Sequence, residues 1–271
     1  MATILLTGAS GVLGQRLLAH PDARAHRLRA MSRRSRPETA SHDGVEWVSV
    51  DLATGEGLEG AVAGADVIVH AASDPRGDSR RVDVEGTERL LATARRTRAR
   101  HFIYLSIVGV DRIPLRYYEY KAAAERVVST SGVPWTILRG TQFHDFMDFM
   151  CGQMARFPVA VVPRGWLYQP IHVDEFAAEV WRSVAAGPRE RAPDFAGPEV
   201  MSSQTLMREW LVARRARKPV LAIPIPGRVA RALRRGEGTA PGRMSGSVTW
   251  RAWLAGSAAA AAAHGRSAPA K

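Results

Sequence analysis

Short apolar runs alternate with segments of helical periodicity over the first half of the chain. Between the runs lie helix-period segments, of which 82–98 and 117–132 are the longest. This alternation predicts an α/β fold with a doubly wound, parallel, Rossmann-like sheet and right-handed crossovers. The six runs with the length and apolar content of buried strands are "ATILLTG" (2–8), "HRLRAMS" (26–32), "VEWVSVDL" (45–52), "DVIVHAAS" (66–73), "HFIYLSIVGV" (101–110) and "PWTILRG" (134–140).

The regular alternation ends near residue 140, so we expect a change of architecture there. Residues 1–142 are predicted to form the dinucleotide-binding core. Residues 143–255 are predicted to form a small mixed lobe, interleaved with the core, that covers the substrate cleft; it includes amphipathic helices near 143–157 and 174–187. The Ala-rich end, 256–271, is of low complexity and is expected to be disordered.

Composition narrows the class of protein. The single cysteine, Cys151, excludes a disulfide within the chain, and the first residues lack the basic region of a signal peptide, so we expect a cytoplasmic protein. No apolar run reaches the ~18–20 residues that span a bilayer. The net charge of +12 comes from scattered arginines without interleaved aromatic residues. We therefore expect a small-molecule substrate, no nucleic-acid or membrane partner, and a monomer or homodimer.

The segment "TGASGVLG" (7–14) combines a strand end, three glycines and a helix start. Gly8 suits the tight turn, Gly11 the close approach of a pyrophosphate, and Gly14 close packing of helix on strand. The helix N-terminus would present its amides to the anion. The pattern predicts a dinucleotide site built from Gly8, Ala9, Ser10, Gly11, Val12, Leu13 and Gly14, with Asp51, Leu52, Ala71, Ala72 and Ser73 from the ends of the third and fourth strands.

The end of the second strand indicates which dinucleotide binds. NAD sites usually carry a carboxylate there, whereas this chain has Ser32, Arg33 and Arg34. An arginine pairs with a ribose 2′-phosphate, so NADP is favoured and NAD is the alternative.

A lysine follows three tyrosines in "YYEYK" (117–121), although the chain has only three lysines. On a helix, Tyr117 and Tyr118 lie about 40° and 60° from Lys121, on opposite sides, so geometry leaves both tyrosines as candidates for the partner of Lys121. A phenol with a pKa near 10 is a poor acid–base group at neutral pH, and an adjacent ammonium would lower that pKa. A compact ammonium also suits ribose hydroxyls better than a planar guanidinium does.

These segments, together with "LSIVGV" and "GVPWTILRG", resemble the short-chain dehydrogenase/reductases, in particular their atypical NmrA-like branch, over residues 3–180. The resemblance implies that Tyr117, four residues before Lys121, is the proton donor. It also implies that Lys121 anchors the cofactor ribose and activates the phenol, and that Ser106 polarises the carbonyl. The asparagine usual on the preceding helix has no clear counterpart, since Asp83 occupies that neighbourhood.

In related proteins the segment after the sixth strand lines the substrate cleft, which makes Thr141, Gln142, Phe143 and His144 candidate substrate contacts; simple packing is an equal alternative. No His/Cys cluster has metal-ligand spacing, and no G-x-S-x-G motif supports a hydrolase, so no metal is expected.

The combined prediction is an NADP(H)-dependent oxidoreductase. It would transfer a hydride between the nicotinamide and a carbonyl or activated double bond of a small, partly apolar substrate. The alternatives are an NmrA-like protein that senses NADP without turnover, and an epimerase or dehydratase that retains its nucleotide.

Overall fold

The computed structural model describes residues 1–33, 44–75 and 77–265. The strands found in this part of the chain are β1 Thr3–Thr7, β2 Arg27–Ser32, β3 Val45–Ser49, β4 Val67–His70, β5 His101–Ile107, β6 Trp135–Gly140, β7 Ala160–Pro163, β8 Leu167–Tyr168, β9 Glu190–Arg191, β10 Met201–Ser202 and β11 Val220–Ile223.

A 3₁₀ turn at Pro21–Ala25 and a π-helical turn at Arg80–Glu85 add to the α-helices. The helices of the described residues are α1 Val12–Ala19, α2 Leu58–Val62, α3 Gly86–Arg96, α4 Arg116–Thr130, α5 His144–Met154, α6 Val173–Ala186, α7 Ser203–Ala213, α8 Arg228–Arg234 and α9 Trp250–Gly265.

Seven strands form one parallel sheet in the order β3-β2-β1-β4-β5-β6-β9. The order reverses between β1 and β4, which is the switch point of a doubly wound sheet, where ligands bind beyond the carboxyl ends of the strands. The predicted Rossmann-like α/β class is confirmed. The edge strand β9 was missed because its two residues are exposed and charged, and so give no apolar signal.

The central strands are covered on both faces, which explains their near-continuous apolar sequence. Leu5, Ile68 and Phe102, from three neighbouring strands, have no exposed surface and belong to one core with residues of α2, α3 and α4. Gly86, the first residue of α3, lies so close to Leu52 that a β-carbon there would come within 3.0 Å of the leucine side chain.

The described chain divides into two compact units, and both are assembled from separated segments. The first unit comprises residues 1–140 and 173–194. Its second segment supplies α6, which packs on α1: the Trp181 indole donates a hydrogen bond of 3.2 Å to the Leu17 carbonyl oxygen. The same segment supplies β9 beside β6.

The second unit comprises residues 141–172 and, from residue 195 onward, the rest of the described chain. It contains two small sheets, β7 with β11 in parallel and β8 with β10 antiparallel. Its core includes Met147, Leu206 and Trp250, and Trp250 stacks on Trp253 with ring centroids 5.4 Å apart. Residues 256–265, from the end that was expected to be disordered, lie in α9, and residues 266–271 are outside the described part.

None of the helices in the described residues has both the length and the apolar character needed to cross a bilayer.

Candidate functional site

The glycine loop lies directly against the carboxyl end of β4. Gly8 has a φ of +67°, and a β-carbon on it would meet the backbone of Ala71 and Ala72 at 2.7 Å. A β-carbon on Gly14 would overlap the Gly8 carbonyl oxygen, so α1 and the loop can approach this closely only because both residues are glycine. Gly11 caps α1, and no described side chain caps that helix start. The loop therefore fits an anionic pyrophosphate.

A cleft of about 210 Å³ opens beside this loop, at the switch point of the sheet. The predicted cofactor residues that line it are Gly8, Ser10, Gly11, Ser32, Arg33, Asp51, Leu52, Ala71, Ala72 and Ser73. Five further lining residues were not predicted; four of them adjoin predicted residues in the chain, and the fifth lies in the π-helical turn. They are Thr7, Met31, Val50, Asp74 and Val82.

Four other predicted cofactor residues do not line the cleft. Ala9 is fully buried beneath the loop, and its carbonyl oxygen accepts a hydrogen bond of 2.7 Å from Gln15 Nε2. Gly14 packs against Gly8, while Val12 and Leu13 occupy the first turn of α1. Arg34 lies outside the described residues.

Tyr117, in the first turn of α4, is joined to the cleft through a serine. Its hydroxyl oxygen lies 2.7 Å from Ser73 Oγ, and Ser73 lines the cleft. Ser73 in turn donates a hydrogen bond of 2.5 Å to Asp83 Oδ1, in the π-helical turn. The structure thus brings together residues that are far apart in sequence.

Lys121, one turn further along α4, is buried, and the contacts of its ammonium are with groups other than the Tyr117 phenol. Its Nζ donates a hydrogen bond of 2.9 Å to the Leu105 carbonyl oxygen and lies 3.9 Å from Asp83 Oδ1. The ammonium also lies 4.3 Å from the centroid of the Tyr104 ring. Burial lowers the pKa of Lys121, although the nearby carboxylates of Asp83 and Glu125 act in the opposite direction.

The pKa of Tyr117 is raised above its ordinary value, first by burial of the ring and then by the Asp83 carboxylate and by Tyr118, whereas a hydrogen bond donated by Ser73 to the phenol oxygen would act in the opposite direction. Lys121 is not among the groups that shift this pKa, because its ammonium donates to the Leu105 carbonyl oxygen and faces the carboxylate of Asp83. The expected activation of the phenol by Lys121 stays a prediction.

Ser106, on β5, is not the serine that hydrogen-bonds to Tyr117. Its hydroxyl is buried and has no hydrogen-bond partner among the described residues, and the same holds for the hydroxyl of Tyr104. The serine that contacts Tyr117 is Ser73, which the sequence had suggested only as a cofactor residue. A buried hydroxyl without a partner is costly, so Ser106 retains the capacity to bind a further polar group.

A buried chain of hydrogen bonds supports the turn that carries Asp83. The Thr87 hydroxyl donates to the Asp83 carbonyl oxygen at 2.6 Å, so it must accept from His70 Nε2, which lies 2.9 Å away. His70 Nδ1 then accepts from the Thr7 hydroxyl at 2.7 Å, and Thr7 accepts from the Ala72 amide. Burial, with a smaller contribution from the charge of Lys121, lowers the pKa of His70 to about 3. The ring is therefore neutral at neutral pH.

The four predicted substrate contacts belong to the second unit and make internal contacts there. The Thr141 hydroxyl donates to the Gln169 carbonyl oxygen at 2.5 Å, and Gln142 Nε2 donates to the Gly238 carbonyl oxygen at 3.0 Å. His144 is fully buried, with its ring centroid 5.7 Å from that of Trp250. Only Gln142 and Phe143 keep part of their surface exposed.

Comparison with known sequences points to nucleotide chemistry. A family profile described as NAD(P)H-binding matches residues 8–148, which include the glycine loop, Ser73 and Tyr117. The (4-alkanoyl-5-oxo-2,5-dihydrofuran-3-yl)methyl phosphate reductase of Streptomyces griseus is 31% identical over 142 residues, covering 52% of this chain and 48% of that protein. The chain spans less than half the length of the curated relatives it matches.

Solved structures share the fold at low sequence identity. A nucleoside-diphosphate-sugar epimerase from Staphylococcus aureus superposes with a TM-score of 0.76 at 17% identity, covering 93% of this chain and 99% of that one. MoeE5, solved in complex with UDP-glucuronic acid and NAD, superposes with a TM-score of 0.73 at 17% identity, covering 93% of this chain and 96% of that one.

Proposed function

This chain belongs to the NAD(P)H-binding family, and from that premise we propose that it is an NADP(H)-dependent oxidoreductase. It transfers a hydride between the nicotinamide and a carbonyl or activated double bond of a small, partly apolar substrate. The NAD(P)H-binding family is shown by the profile match over residues 8–148. The short-chain dehydrogenase/reductase branch, the activity, the substrate class and the preference for NADP are the proposal.

The observation that carries the proposal is the contact between Tyr117 and Ser73. A family member that only binds a nucleotide needs no phenol at the cleft, yet the Tyr117 hydroxyl reaches a residue of its lining at 2.7 Å. A phenol at that position can exchange a proton with a reacting oxygen, which is the step that hydride transfer to a carbonyl requires.

The roles divide among four side chains of the first unit. Tyr117 donates the proton, and Ser73 orients its hydroxyl. Ser106, whose buried hydroxyl has no partner among the described residues, polarises the carbonyl. Lys121 holds α4 against β5 through its hydrogen bond to the Leu105 carbonyl oxygen. Its ammonium is also proposed to bind the ribose hydroxyls of the cofactor. The nucleotide, when bound, supplies the hydride and, in its oxidised form, a positive charge.

Substrate contacts are proposed for Gln142 and Phe143, since these two of the four candidate residues are only partly buried. Their neighbours Thr141 and His144 are buried in contacts within the second unit, and packing accounts for both.

The test is NADPH oxidation against a panel of quinones, ketones and aldehydes, with Tyr117→Phe compared to the unmodified protein. We expect the substitution to lower kcat about 10²–10⁴-fold, the usual contribution of a positioned acid–base group, with NADPH binding unchanged. Tyr118→Phe is the matched control, because it removes the neighbouring phenol from the same helix turn; its kcat should stay within about threefold, well below the contribution of an acid–base group. A turnover indifferent to the loss of the Tyr117 hydroxyl would refute the assignment.

One observation favours a second candidate, a protein that binds NADP as a signal without turnover. The Tyr117 hydroxyl is hydrogen-bonded within the protein and its pKa is raised, which are properties that a purely structural tyrosine also has. Tight NADPH binding with no activity on any substrate of the panel would favour this candidate over the oxidoreductase.

A further inference from the structure

A buried carboxylate, Asp83, lies behind the hydroxyl that contacts Tyr117, and none of the roles given above uses it. Asp83 is 1% exposed. Its Oδ1 accepts from Ser73 Oγ at 2.5 Å, its Oδ2 accepts from the Asp74 amide at 3.1 Å, and Lys121 Nζ lies 3.9 Å from Oδ1. The carboxylate is thus held in place from three directions.

These contacts fix where the protons lie. An ionised carboxylate only accepts hydrogen bonds, so the single proton of the Ser73 hydroxyl points to Asp83. Ser73 Oγ can then only accept from Tyr117, at 2.7 Å. The phenol must therefore keep its proton in order to make this bond, and a phenolate would face the Ser73 oxygen without a donor between them.

The charges around these hydrogen bonds also favour the protonated phenol. The Lys121 ammonium, which could stabilise a phenolate, faces the carboxylate of Asp83; Glu125, which is itself paired with Arg139, is a second carboxylate near Lys121. Among the residues that the structure describes, the titratable groups around Asp83, Tyr117 and Lys121 are Glu125 and Tyr118 on α4, Tyr104 on β5, neutral His70 on β4 and Asp74 in the loop after β4.

We propose that Asp83 is a positioning residue that, acting through Ser73 and opposite Lys121, holds the Tyr117 hydroxyl in its protonated, donating form. The consequence for catalysis rests on the proposed function. Hydride addition to the carbonyl carbon, from a reduced nicotinamide nucleotide, would break its π bond. The oxygen would take the Tyr117 proton, released from its hydrogen bond to Ser73, and become an alcohol; the remaining phenolate would regain a proton from solvent. Since the reverse reaction starts from the phenolate, Asp83 lowers the initial rate of alcohol oxidation at neutral pH more than that of carbonyl reduction, while the equilibrium between the two stays unchanged.

The decisive measurement is the ionisation of Tyr117 itself. A difluorotyrosine, whose phenol is intrinsically more acidic, is placed at position 117 of the full chain, and fluorine NMR follows its titration without any substrate. With Asp83 present, the midpoint should lie above that of the free amino acid. Asp83→Asn removes the charge at nearly constant shape and should lower the midpoint by about one pH unit or more.

Glu119→Gln is the matched control, because it removes an exposed carboxylate two residues from Tyr117 on α4 that lacks a contact with Ser73 among the described residues; it should leave the midpoint in place. Should Asp83→Asn fail to fold, Ser73→Ala tests the same link, and a midpoint lowered by about half a unit supports the proposal. A midpoint that does not fall in the variant measured overturns it.

The pH profile of NADPH-dependent reduction gives a second readout. The alkaline limb of kcat/KM should move down by about one pH unit in Asp83→Asn, a shift that a merely structural role would not produce. Because the NMR titration needs no turnover, an inactive protein with the expected titration would sink the proposed oxidoreductase and leave the role of Asp83 standing. An active protein with an unmoved titration would do the opposite.

Discussion

Arg33 is a charged residue that lines the cleft at the end of β2. NAD and NADP differ at the ribose 2′ position, which is expected to lie there. Arg33 is exposed, follows Ser32, and lines the same cleft as Gly8 and Asp51. A guanidinium pairs with a phosphate through two parallel hydrogen bonds, whereas the ribose hydroxyl of NAD offers no comparable charge. Arg33 therefore accounts for the proposed preference for NADP.

The prediction at this scale is that Arg33→Ala weakens NADPH binding about tenfold, as expected for a lost charge-assisted contact of about 1.5 kcal/mol, and leaves NADH binding nearly unchanged. Quenching of tryptophan fluorescence during titration with each nucleotide measures both. Arg24→Ala, an exposed arginine in the 3₁₀ turn, is the control. Equal losses for the two nucleotides would mean that Arg33 does not read the 2′-phosphate.

Helix α4 is fixed to the sheet at two successive turns by charged side chains. Lys121 donates to the carbonyl of Leu105 on β5, and Glu125 accepts two hydrogen bonds, of 2.7 and 2.5 Å, from Arg139 on β6. A bidentate pair of this kind constrains direction as well as distance. The helix that carries Tyr117 is therefore held in orientation as well as in position, which an acid–base group needs.

The π-helical turn that carries Asp83 depends on the buried chain through Thr87 and His70. We expect Thr87→Val to lower the free energy of unfolding by about 1–3 kcal/mol, because it leaves His70 Nε2–H buried without an acceptor. Urea denaturation measures the loss. Thr130→Val makes the same change on the exposed end of α4 and should stay within about 0.5 kcal/mol. Equal stability of the two variants would show that the hydrogen bonds through Thr87 and His70 do not support the turn.

For the whole molecule, the buried neutral histidines link stability to pH. The folded protein protonates His70 only near pH 3 and His101 near pH 4, in each case mainly because burial disfavours the charge. The unfolded chain takes up both protons near its ordinary pKa of about 6.5. Below that pH the unfolded state binds more protons than the folded state, so stability falls as the pH falls.

Between pH 6 and 5 each of these histidines should contribute about 1.2 kcal/mol to that fall. In His70→Gln, which keeps His101, the slope of the unfolding free energy against pH should be smaller by this amount. Urea denaturation at a series of pH values gives both slopes. An identical slope in the two proteins would show that His70 does not stay neutral in the folded state.

The sequence predicted the sheet well because strands buried on both faces, such as β1 and β5, form continuous apolar runs. It also predicted the glycine loop, whose spacing follows from local backbone geometry. It could not predict the partner of Tyr117, because Ser73 and Asp83 meet it only when three distant segments fold together. Helix α7 could have been found: Ser202 accepts from the Thr205 amide as a cap, and Leu206, Met207 and Leu211 form its buried face.

The segmented construction of the first unit has a consequence for biosynthesis. Six strands of its sheet are complete once residue 140 has been made, but α6 and β9 come from residues 173–194. While residues 141–194 are still being synthesised, the nascent chain therefore exposes the surface of α1 that α6 later covers. It also exposes the edge of β6 that later pairs with β9. During that interval the nascent protein offers an apolar surface and a free strand edge that chaperones recognise, and protection should arrive abruptly when residue 194 leaves the exit tunnel.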